Sequence, residues 1–88
     1  MSKKYFTILV LYRNGELSAS LHAGKTQERA RMNAKKLALV YLQNEAEYLG
    51  VVLDGNIVLG YNALREALRE SEDGMMDIFS VYPIEEET

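Results

Sequence analysis

The side chains best suited to chemistry in this sequence are basic and cluster between Gly24 and Lys36. Lys25, Arg29 and Lys36 are spaced so that one helical face would carry all three beside Met32, and Arg31 and Lys35 make a pair on a neighbouring face. A row of cations suits a row of phosphates, and a helix N-terminus adds N–H donors and positive potential. Contacts of this kind are sensitive to salt and carry no base sequence information. The competing reading is a solvated helix face, because Glu28 sits in the same turn and Glu47 lies in line with the stripe.

Other chemistries find less support. Gly24-Lys25-Thr26 matches the end of a phosphate-binding P-loop, but the full signature needs a glycine where the chain has Ala19. The chain has no cysteine and one histidine, which excludes disulfides, thiolate nucleophiles, Cys-ligated metals and His-pair metal sites. The pairs Glu66 with Glu70 and Glu45 with Glu47 read as solvated helix faces, and His22 as a surface histidine. Ser18, Ser20 and Ser80 lack the neighbours that mark a nucleophile. No catalytic residue, metal ligand or cofactor is assigned, and the expectation is a protein that is not an enzyme.

These residues must be positioned by one small domain. The chain has 88 residues, 48% apolar and 26% charged, ordinary values for a folded globule. Its net charge of −3 conceals an asymmetry, since residues 1–42 carry net +6 and residues 43–88 net −9. The longest apolar runs, at residues 8–12 and 37–42, fall far short of the roughly 20 residues of a membrane span. No secretory apolar region follows the basic Met1 to Lys4, so the expectation is a cytoplasmic protein with no membrane partner.

Tyr5 to Arg13, Asn14-Gly15 and Glu16 to His22 read as a hairpin. A two-residue turn sets the register, with Arg13 opposite Glu16, Tyr12 opposite Leu17, Val10 opposite Ala19 and Ile8 opposite Leu21. By apolar content, Phe6, Ile8, Val10 and Tyr12 with Leu17, Ala19 and Leu21 form the core face. Thr7, Leu9 and Leu11 with Ser18, Ser20 and His22 form a mixed face needing cover by another element or a second subunit. Thr26 caps a helix from Gln27 to about Tyr48 that buries Ala30, Ala34, Leu37, Ala38, Tyr41 and Tyr48 and ends at Gly50. Leu39, Leu42 and Ala46 make a second stripe that needs its own partner.

Val51 to Leu53, Asp54-Gly55 and Ile57 to Leu59 read as a second hairpin, or else as an extension of the helix. Asn62 then caps a helix to Ser71, with Leu64, Ala67 and Leu68 inward, closed by Asp73-Gly74. Met75 to Tyr82 is a last strand stopped by Pro83. The order ββα-ββα-β predicts an α+β fold, a two-layer sandwich of a mainly antiparallel sheet with two helices on one face. Residues 1–84 form the domain and residues 85–88 an acidic tail. Tyr5, Tyr61 and Tyr82 are left as candidates to stack on bases or anchor an interface.

Two families share local features with this stretch. The strand and helix carrying Gly24, Thr26, Glu28, Ala30, Asn33, Ala34, Lys35, Tyr41 and Leu42 resemble the HicB-type antitoxin N-terminal domain, over residues 5–42. That resemblance implies a degenerate RNase H-like sheet and a role in blocking a partner nuclease. Gly24, Thr26, Ala30, Arg31, Ala34, Ala38, Leu39 and Leu42 are similar to the last strands and helix of a double-stranded-RNA-binding domain, which implies contact with RNA phosphates.

Two functions are therefore expected. The first is a non-catalytic module that contacts nucleic-acid phosphates through Lys25, Arg29, Arg31, Lys35 and Lys36, joined by Lys3 and Lys4. The second is a small protein-binding inhibitor or antitoxin-like protein, acting through its acidic half or an exposed apolar sheet face. A homodimer is expected in either case, because elements apolar on both sides bury one side against a copy.

Overall fold

The computed structural model describes residues 4–13, 15–71 and 74–84. In chain order they form β1 (Lys4–Arg13), β2 (Glu16–Gly24), α1 (Gln27–Tyr41), α2 (Gln43–Tyr48), α3 (Ile57–Ser71) and β3 (Gly74–Ile84). The strands make one antiparallel sheet in the order β2-β1-β3, and the helices pack on one of its faces. The class is the α+β two-layer sandwich that the sequence predicts. Its sheet has three strands rather than five.

The first hairpin has the expected register, with Arg13 opposite Glu16, Val10 opposite Ala19 and Ile8 opposite Leu21. Gly15 takes a φ of +80°, the left-handed conformation that a tight two-residue turn demands. The faces are reversed. Thr7, Leu9 and Leu11 are buried, together with Met76 and Ile78 of β3, whereas Tyr12, Leu17, Leu21, Met75 and Phe79 are exposed on the other side. The cause lies in the helices. The leucines of β1 and the Met76 and Ile78 pair meet Ala34, Ala38, Leu42, Ala46, Tyr61, Leu64 and Leu68 in one cluster. Counting apolar residues along the strands picks the other face, because the count omits which face the helices cover.

The long helix breaks at Leu42, whose backbone leaves helical geometry between α1 and α2. This turn keeps Leu42 and Ala46 in the core, so the buried row joins Ala30, Ala34 and Ala38 of the first stripe to Leu42 and Ala46 of the second. Tyr41 and Tyr48, expected inside, are exposed. Gly50 does end the helical stretch. Its N–H donates to the Glu47 carbonyl, the Val51 N–H donates to the Ala46 carbonyl, and its φ is +75°, the pattern of a Schellman cap.

Residues 51–56 form no hairpin. The Asn56 N–H donates to Asp54 Oδ1, and Asn56 Oδ1 accepts from the Leu59 N–H, so Asn56 rather than Asn62 caps α3. The helix then buries Gly60, Tyr61, Leu64 and Leu68 at three- and four-residue spacing, a helical period that outweighs the Asp-Gly turn signal. β3 runs through Pro83 instead of stopping before it. It is an edge strand, and its pairing with β1 is irregular between Lys4 and Phe6, where a proline is tolerated. The acidic tail at 85–88, Lys3 and the Asp73 stop signal lie outside the described residues.

The face assignment has a direct test in urea denaturation of dilute protein. Leu11→Ala is expected to cost about 2–5 kcal/mol through lost burial and the cavity it leaves, and Leu17→Ala no more than about 0.5 kcal/mol. The opposite ranking would return the core to the Phe6 and Ile8 face.

Candidate nucleic-acid interface

The site begins where β2 hands over to α1. Gly24 lies so close to the first turn of α1 that a Cβ there would stand 2.5 Å from the Ala30 nitrogen. Thr26 Oγ1 accepts from the Arg29 N–H at 3.1 Å, the cap that the sequence predicts. Gln27 ties this end of the helix to β1, donating through Nε2 to the Phe6 carbonyl and to Thr7 Oγ1 at 3.1 Å each. The Asn33 amide donates to the Ala23 carbonyl of β2 at 2.9 Å. The helix start is held at both strands, and its outer row of side chains has a fixed position relative to the sheet.

That row lines an open groove of about 770 Å³ formed by Gly24, Lys25, Thr26, Glu28, Arg29, Met32, Asn33 and Lys36. Lys25, Arg29 and Lys36 therefore share one surface, as their spacing implies. Among the described residues none of the three is paired with a carboxylate. Glu28 on the rim partly offsets their charge. Arg31 and Lys35 are not part of this surface. Arg31 donates to Ser80 Oγ of β3 at 3.0 Å, and the Lys35 ammonium lies 5.6 Å from the centre of the Tyr61 ring. The five cations of the sequence reading thus divide into three in the groove and two on the seam of α1 with α3 and β3. Asn33 is a groove residue that the charge pattern alone did not single out, although it stands four residues after Arg29 on the same face.

The remaining arginines with charged partners serve the fold. Arg13 at the end of β1 pairs with Glu45 of α2, and Arg65 of α3 pairs with Asp77 of β3 at 3.2 Å while donating to the Met76 carbonyl. Ser20 Oγ and His22 Nε2 are 2.8 Å apart on β2. Among the described residues no carboxylate orients that ring, so the pair lacks the third member of a nucleophilic triad. No cluster of His, Asp and Glu among the described residues would hold a metal, and no helix there is long and apolar enough to cross a membrane.

Tyr61, a candidate stacking residue by sequence, is instead a core residue with 3% of its surface exposed. Among the described residues its hydroxyl has no hydrogen-bond partner. Burial, and secondarily the Asp77 carboxylate, push its pKa up to about 12, with Arg65 and Arg31 pulling partly back. No family model, curated protein or solved structure matches the chain.

The orphan hydroxyl yields a prediction with a defined sign. A phenol whose pKa rises from 10.0 to about 12 on folding is neutral in both states well below pH 10, and stability falls as pH climbs from 10 through 12 because the unfolded chain ionises first. Tyr61→Phe is expected to be neutral or stabilising at pH 7, since it removes an unpaired buried group. It is also expected to flatten the fall in stability between pH 10 and pH 12. Urea unfolding of both proteins across that range checks it, and an unchanged alkaline limb would remove Tyr61 as the cause.

Proposed function

We propose that this chain is a non-catalytic binding domain that holds nucleic-acid phosphates in the groove at the start of α1. The observation that carries the reading is the convergence of Lys25, Arg29 and Lys36 on one surface without carboxylate partners among the described residues. A net charge of −3 does not oppose it, because the acids concentrate in residues 43–88, whereas the groove is built from residues 24–36. The first turn of α1 adds its positive end to the same place. Binding of this kind orients on the backbone and does not read bases.

A second reading, a small inhibitor that holds a protein partner on the open sheet face, draws on the exposed Leu17, Leu21, Met75 and Phe79. The two readings separate by mutation, since loss of groove cations would leave that partner bound.

Fluorescence titration of a short labelled duplex at several salt concentrations tests the groove. Three phosphate contacts predict a slope of about −2.7 in log affinity against log salt, or roughly a 40-fold loss between 50 and 200 mM. Lys25→Ala combined with Arg29→Ala is expected to weaken binding and to bring the slope to about −1. No binding at low salt, or an unaltered slope in the double variant, would overturn the proposal.

A further inference from the structure

The strongest unexplained feature is the sheet face turned away from the helices. Phe6, Ile8, Val10 and Tyr12 of β1 align there with Ala23, Leu21, Ala19 and Leu17 of β2, and with Val81, Phe79, Asp77 and Met75 of β3. Eleven of these twelve positions are apolar, and Tyr12, Leu17, Leu21, Met75 and Phe79 stand 41–69% exposed. We propose that this face is the contact between two copies of the chain, packed sheet against sheet about a two-fold axis.

Three observations select a second copy as the occupant. The first is charge. The one ionic residue among these twelve positions, Asp77, is already paired with Arg65 of its own chain, so a surface with no complementary charge fits best, and an identical face is such a surface. The second is β1 itself. As the central strand it is apolar on both sides, a pattern belonging to strands covered on both faces, while the described helices cover only one. The third is area. Tyr12 and Phe79 together hold on the order of 200 Å² of ring surface open, and the five exposed side chains roughly 500 Å². Two copies would bury about 1,000 Å² from these residues alone, near the lower bound of specific interfaces. Two sheets of like twist stack about 10 Å apart at roughly −30°, a geometry open to identical partners. A pair of this size is expected to exchange with monomer at micromolar concentration.

Pairing through the sheet face does not depend on the groove, whose lining residues are all different. Sedimentation equilibrium from 1 to 500 μM tests it, with Leu21→Glu and Phe79→Glu as separate variants and Val52→Glu, at an exposed position in the segment between α2 and α3, as the control. Far-UV circular dichroism establishes that each variant is folded. The wild type and Val52→Glu are expected to dimerise, and Leu21→Glu and Phe79→Glu to be monomeric at least tenfold higher in concentration. Phe79 lies on β3, so pairing through the free edge of β2 would survive its replacement. A dimer unaffected by Phe79→Glu would therefore overturn the face-to-face arrangement. A folded wild type that stays monomeric throughout would overturn self-association and return the face to a different protein partner.

Discussion

The close seating of α1 on the sheet is the constraint on which the rest of this molecule depends. Ala30, Ala34 and Ala38 have no exposed surface, and Gly24 meets the helix where any side chain would collide with its backbone. Small residues let a helix approach a sheet closely, but they fill little volume. The bulk of the core must then come from elsewhere, and it comes from Leu9, Leu11, Met76 and Ile78 below and from Leu42, Leu64 and Leu68 beside. Thr7 is fully buried in this layer, and the Gln27 amide donates to its hydroxyl. One contact therefore sets the depth of the helix, the choice of core face and the orientation of the groove.

The parts legible in the sequence are those governed by local chemistry. The Asn14-Gly15 signal fixed the register of the first hairpin, Thr26 announced the start of α1, and Gly50 marked the end of the helical stretch, each through a backbone requirement satisfied within a few residues. What failed was everything decided at long range. The choice between the two faces of β1 depends on which of them the helices cover, a contact made with residues far along the chain such as Leu64 and Leu68. The break at Leu42 depends on which residues face Leu64 and Leu68. The Asp54-Gly55 pair is a valid turn signal that feeds a helix rather than a second strand, because Asn56 follows it as a cap.

The charge asymmetry of the sequence resolves in the same way. Pattern alone left open whether the basic and acidic halves pair internally, and the structure shows both outcomes side by side. Arg13 joins the halves through Glu45, and Arg31 and Lys35 settle against Ser80 and the Tyr61 ring. Lys25, Arg29 and Lys36 remain in the groove with Glu28 as their nearest acid in the row. The spacing of the five cations already separated these two groups. Their different fates could not be read from it, since that needs the position of α3.

The groove is lined by α1 and the end of β2 and the open sheet face by strand residues turned away from the helices, so the two surfaces share no lining residue. Three cations alone give weak, salt-sensitive attachment to a phosphate backbone. A copy stacked on the open face would add a second groove to the same particle and make the second contact intramolecular, which strengthens attachment without any new side chain. The proposed pairing would thus add to the proposed phosphate binding while drawing on a separate set of residues. Acid substitutions on the sheet face leave every groove residue in place, and removal of groove cations leaves the apolar face intact.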